Sequence, residues 1–115
     1  MRNTVLYLKD IHAAILAIES FVENMDFNDF KQDDKTNSAV IRKFEIIGEA
    51  AKNVPEDIQR KYPIIPWREM ARMRDKLIHF YFGVQHELVW DTIKDSLPPL
   101  KPALEMAISE LEPPE

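Results

Sequence analysis

No cysteine occurs among the 115 residues, so no disulfide can brace the fold and no thiolate can hold a metal or attack a substrate. A reducing cytoplasm is the compatible compartment. Only two glycines are present, too few for a turn-rich β architecture or a glycine-rich phosphate loop. No apolar run approaches the ~18 residues of a membrane span, and the N-terminus has no secretory h-region. A soluble, cytoplasmic protein is expected. Internal repeats, a Walker motif and a nucleophile elbow are absent too. At this length one core and one domain are expected, residues 1–112, with a disordered tail at 113–115.

Hydrophobic residues make up 45% of the chain and charged residues 30%, and they alternate with helical period. Tyr7, Leu8, Ile11, Ala14, Ile15, Ile18, Phe21, Val22 and Met25 share one face, which predicts a helix over Thr4 to Met25. His12 falls off that face and reads as exposed. A polar stretch from Asp26 to Asn37 predicts a loop with a helical turn pinned by Phe27 and Phe30. Asp33 and Asp34 there read as capping and dipole partners of the next helix rather than metal ligands. That helix runs from Asp34 or Thr36 to Asn53 with Val40, Phe44, Ile47, Ala51 and Val54 inward, and Gly48 permits close helix approach. Glu45 and Glu49 lie opposite that stripe and read as solubilising or salt-bridged residues, since no histidine stands three or four residues away to complete a di-metal pattern.

Pro55 and Pro66 each suit the start of a helix. Ile64, Ile65 and Trp67 are expected to plug the bundle end, although an exposed Trp67 would be suited to stacking a base. A helical stop is expected at Phe82-Gly83. His86 lacks a zinc spacing with His79 and reads as helix initiation or surface. Beyond it, Val89, Trp90, Ile93, Leu97, Leu100, Leu104, Ile108 and Leu111 stay in helical phase across Pro98, Pro99 and Pro102, which predicts a kinked helix or two nearly collinear ones. The fold class is therefore all-α, an antiparallel bundle of four to five main helices.

The other helices are arranged around WREMARMRDKLIHFYFG, Trp67 to Gly83. At about 100° per residue, Met70, Met73, Leu77, Phe80 and Tyr81 form its inward sector. Arg74 lies at the edge of that sector and His79 on the opposite side. Ala71, Asp75, Ile78 and Phe82 fill the arc between them, an apolar strip outside the core that suits a second copy of the chain. Ala71, Ile78 and Phe82 are the expected dimer contacts, and dimerisation would bring two Arg/His pairs to one cleft. A guanidinium and an imidazole are a workable pair for breaking a phosphodiester without metal or other cofactor. Asp75, one turn before His79, is placed to orient the imidazole. The plainer alternative is that Arg74 and Asp75 are solvated charges and His79 a helix-end histidine. Between Arg60 and Lys76 the local charge is +4 while the remainder of the chain carries −9, a concentration that suits a polyanion. Arg68, Arg72 and Lys76 are the expected contacts to that polyanion.

Arg74, His79 and Tyr81 spell R-x4-H-x-Y, and here the sequence resembles the HEPN superfamily, specifically the HepT-like toxins. IPWREMARMRDKLIHFYFGV and AVIRKFEIIGEAAKNVPEDI both look like segments of that family, and the resemblance runs over nearly the whole chain. It implies a helical homodimer acting as a metal-independent ribonuclease, with RNA as the polyanion that Arg68, Arg72 and Lys76 contact. It further implies a minimal nucleotidyltransferase antitoxin as partner, and AMP attachment at Tyr81. The plainer reading of Tyr81 is a core-edge tyrosine. Phe80 stands where such proteins often have glycine, and Asp75 where they often have asparagine; a bulky ring would narrow the cleft and a carboxylate would weaken phosphate binding. Two further readings stand beside the ribonuclease: a non-catalytic module that binds a nucleotide or docks the nucleotidyltransferase, and a structural dimer without ligand.

Overall fold

Among the described residues, four long helices carry the fold and three short ones turn the chain between them. The structure, a computed structural model, describes residues 3–79 and 85–112, with the backbone alone at 78 and 79. Helix α1 spans Thr4–Phe21 and α2 Phe27–Gln32. Then come α3, Asp34–Asn53, and α4, Glu56–Lys61. Helix α5 is Trp67–His79, α6 is His86–Asp91 and α7 is Leu97–Leu111. Among the described residues there is no strand, and the fold is all-α.

Each early boundary has a local cause. Asn3 accepts the Val5 N–H at 2.8 Å and starts α1. Asp26 and Asp29 cap α2 reciprocally, each side chain accepting the other's backbone N–H, as a capping box does. Asp33 then accepts the Thr36 N–H at 3.0 Å to start α3. That bond holds the Asp33 carboxyl below the usual range. Helix α1 ends at Phe21, not Met25, because Asn24 takes a left-handed conformation at φ 64°, which asparagine tolerates better than most residues. Phe21 is consequently exposed, while Val22 stays buried.

Helix α3 lies between α1 and α5, and α1 lies between α3 and α7. Leu8, Ile11, Ile15 and Ile18 of α1 meet Val40, Phe44 and Ile47 of α3 and Leu104 and Ala107 of α7 in one core. Each fully buried aliphatic side chain contributes roughly 1.5–3 kcal/mol. Two ion pairs, Lys9 with Glu112 and Glu19 with Lys101, and the contact of His12 with Glu105 fix the direction of α7 against α1. Numbers rise along one helix as they fall along the other, so the two are antiparallel. His12, expected to be exposed, is half-buried and 3.0 Å from Glu105.

Ile65 and Trp67 are buried at the end of the bundle, where the Trp67 indole N–H reaches the carbonyls of Tyr62 and Gln59 at 3.1 and 3.2 Å. Ile64, expected to join them, is 75% exposed. The hydrogen bonds of Trp67 fix the loop with Ile65 turned in, and the neighbouring side chain is left in solvent. Beneath α6, Phe30 is fully buried against the rings of Trp90 and His86.

A π-helical stretch, Thr92–Ser96, joins α6 to α7 just before Pro98 and Pro99, whereas Pro102 lies inside α7. Leu97 N–H bonds to the Thr92 carbonyl, five residues back. The wider turn makes room where Pro98 and Pro99 lack donors and would crowd the preceding turn. Val89, Ile93 and Leu97, four residues apart, remain buried through it.

Candidate active site

Helix α5 begins at Trp67, directly after Pro66, and continues unbroken to His79. Met70 is buried and Met73 and Leu77 are half-buried against the core, as the periodicity requires. Arg74 stands at the edge of that face with 29% of its side chain exposed. It is not a freely solvated charge. Its Nη2 lies 3.3 Å from Oε2 of Glu49 on α3, and its Nη1 donates to Oδ1 of Asp75 at 3.2 Å.

The approach of the two helices is what makes this pairing possible. A methyl group placed on Gly48 would collide with Cβ of Arg74 and lie 2.8 Å from the Met70 carbonyl oxygen. With no side chain at 48, α5 seats its Arg74 turn directly on α3, and Glu49 reaches the guanidinium across the joint.

Asp75 has two cationic neighbours, Arg74 and the Lys52 ammonium at 3.6 Å. The Arg74 hydrogen bond, aided by Lys52, holds the Asp75 carboxyl below the usual carboxylate range despite some desolvation. Its described partners are thus the arginine of the motif and a lysine of α3; the His79 side chain lies outside the described residues.

Arg74 also borders a cleft of about 220 Å³ between α1, α3 and α5. Tyr7 and Asp10 of α1 and Arg42, Glu45 and Asn53 of α3 border it as well. Sequence periodicity placed Tyr7 on the inward face of α1 and did not single out Asp10, Arg42 or Asn53; Glu49, read as solubilising or salt-bridged, is exposed and paired with Arg74. The available signal was Gly48: a glycine within a helix marks where another helix comes closest, and the next residue is poised to reach it.

Arg68, Arg72 and Lys76 are exposed. Four residues apart, they run along one side of α5, about 40° apart in projection, and the backbone of His79 falls on that same side. Arg74 and His79 diverge by about 140° around the axis. Ala71 is half-buried, whereas the Ile78 side chain and all of Phe80, Tyr81, Phe82 and Gly83 lie outside the described residues. Among the described residues, no cluster of three or more His, Asp or Glu side chains is arranged to hold a metal ion, and no helix is long and apolar enough to cross a membrane.

The sequence profile described as ribonuclease HepT-like matches residues 11–107, a span that takes in the joint at Gly48 and the whole Arg74 to Tyr81 motif. The chain belongs to the HepT-like ribonuclease family. It is 59% identical over 95 residues to a Thermococcus cleftensis protein named "Probable ribonuclease HepT", covering 83% of this chain and 86% of the relative. A Methanocaldococcus jannaschii protein whose name proposes an RNase is 46% identical over 106 residues, 92% of this chain and 88% of the other. One from Caldanaerobacter subterraneus, named in the same way, is 46% identical over 101 residues, 88% and 90% of the two chains. No solved structure matches.

Proposed function

We propose that the chain is a metal-independent endoribonuclease, the toxin of a toxin–antitoxin pair, acting as a dimer with Arg74 and His79 of both subunits in one cleft. One observation beside family membership carries the reading: the continuous α5 helix directs residues 74 and 79 about 140° apart. Positions so far apart around an ideal helix do not converge on one phosphate. A second copy packed on the intervening arc, Ala71, Ile78 and Phe82, supplies the missing group from the other side.

In this mechanism His79 takes the proton of a ribose 2′-hydroxyl, or gives one to the departing 5′-oxygen. The 2′-oxygen attacks the adjacent phosphorus, the bond to the 5′-oxygen breaks, and a 2′,3′-cyclic phosphate remains. Arg74 stabilises the charge that builds on the pentacovalent phosphate, a role suited to a planar, permanently charged donor. Asp75 supports Arg74. Arg68, Arg72 and Lys76, exposed along α5, track the RNA backbone. The antitoxin in this reading is a minimal nucleotidyltransferase that attaches AMP to Tyr81, placing an anionic group where the substrate phosphate would lie and neutralising Arg74.

The test is cleavage of an RNA oligonucleotide in excess chelator. Arg74→Ala and His79→Ala should each lower the rate by about 100-fold or more with helix content unchanged. Rates lost on chelation, or kept in His79→Ala, overturn the mechanism. RNA binding without cleavage by the unmodified chain would favour the docking-module reading. Co-expression with an active nucleotidyltransferase should add the mass of adenylate, and Tyr81→Phe should abolish the addition.

A further inference from the structure

Glu49 is given no role by the motif, yet it is the group from another helix that holds the motif's arginine. Three observations converge on it. The guanidinium of Arg74, 29% exposed, has Nη2 3.3 Å from Oε2 of Glu49. Gly48, one residue earlier, admits α5 so closely that a Cβ there would collide with Cβ of Arg74. The other carboxylate on Arg74, Asp75, adjoins it in sequence and reaches α3 only through Lys52 at 3.6 Å, so Glu49 is the direct tie between the guanidinium and α3.

We propose that Glu49 is the positioning residue of the site. It anchors Arg74 to α3, so that the guanidinium keeps one orientation when α5 meets the phosphate. This deepens the ribonuclease reading and rests on it for its kinetic consequence. An arginine carries several rotatable bonds, and without an anchor its donors reach the developing charge only part of the time. Both contacts to Arg74 are single-point, so each terminal nitrogen retains a hydrogen and Nε–H lies outside both contacts, leaving donors for an anion. Because an anchored donor counts most where charge is greatest, its loss is expected in kcat more than in KM. The pair is solvent-accessible, and exposed pairs contribute little to folding, so the fold should survive its removal.

The experiment compares the unmodified chain with Glu49→Ala and Glu49→Gln. The first readout needs no activity: the Nε–H resonance of Arg74, assigned by its disappearance in Arg74→Lys, should be sharp in the unmodified chain and broaden or shift in Glu49→Ala. An unchanged resonance overturns the proposal whether or not the chain cleaves RNA. The second readout is cleavage. Glu49→Ala should lower kcat about 10- to 100-fold with KM little changed, Glu49→Gln, which keeps an acceptor oxygen, should restore most of the rate, and Glu49→Ala should cost nothing further in an Arg74→Lys background. Full activity in Glu49→Ala, or a loss that adds independently to Arg74→Lys, overturns positioning. Absence of cleavage in the unmodified chain, with the resonance responding to Glu49→Ala, overturns the ribonuclease reading and leaves the anchor established.

Discussion

Gly48 of α3 and Arg74 of α5 meet with no room for a methyl group between them. The joint between these helices is therefore also the mount of the motif arginine, and packing there couples directly to the geometry of the site.

Gly48→Ala should thus harm activity beyond its effect on folding. The added methyl meets Cβ of Arg74 and a backbone carbonyl, neither of which can swing aside, so a loss of about 1–3 kcal/mol from overpacking is expected. Urea denaturation should report that loss. RNA cleavage measured where the variant remains folded should still be well below the unmodified rate, and an unimpaired rate would mean that the joint does not set the position of Arg74.

Asp75→Asn tests the carboxylate beside Arg74. The Asp75 pKa is lowered in the fold by Arg74 and Lys52. The folded state thus releases this proton more readily than the unfolded chain. Its contribution is present above the ordinary carboxylate pKa and is lost as pH falls through the lower folded value. The variant should therefore show a shallower decline in thermal stability on acidification, and, with one negative charge fewer beside the cleft, tighter RNA binding at low salt. Weaker binding would show that the carboxylate assists rather than opposes the polyanion.

Tyr62→Phe probes the link between the end of α4 and the last turns of α7. The buried phenol donates to Oε1 of Glu110 at 2.6 Å, and that bond, with burial and the negative charge of Glu110, pushes its pKa up to about 12. Folding favours the protonated form, so the stabilisation is complete below the ordinary value near pH 10 and disappears as pH rises through about 12. The variant should lose about 1 kcal/mol at neutral pH. Its stability should then fall less steeply than that of the unmodified protein between those two pH values, as followed by circular dichroism.

Ile78→Glu addresses assembly. The arc of α5 between residues 74 and 79 is outside the core sector, and a charge inside an apolar interface is costly. Sedimentation at micromolar concentration should show a dimer for the unmodified chain and dissociation for the variant, with cleavage falling in parallel. A unmodified monomer that cleaves RNA at full rate would remove the shared cleft from the mechanism.

The helices were legible in the sequence because helical period is a relation among residues three and four apart, and Val40, Phe44 and Ile47 carry it whatever lies around them. The family was legible as well: Arg74, His79 and Tyr81 lie within eight residues, and IPWREMARMRDKLIHFYFGV extends the match on both sides. Where the period misled, a local conformational choice intervened. Asn24 turned left-handed and ended α1 before Met25, and Ile64 was turned outward by the hydrogen bonds of Trp67. Cross-helix pairing belonged to the tertiary structure alone. Glu49 has the same sequence surroundings whether it faces water or Arg74, since its partner is 25 residues away and the rotation of α5 on α3 decides the matter. His12 with Glu105 is a pairing of the same kind. The π turn at Thr92–Ser96 is the third case: the prolines required some departure from the α-helix, but that it takes the form of a widened turn with Val89, Ile93 and Leu97 all buried is decided by the tertiary structure.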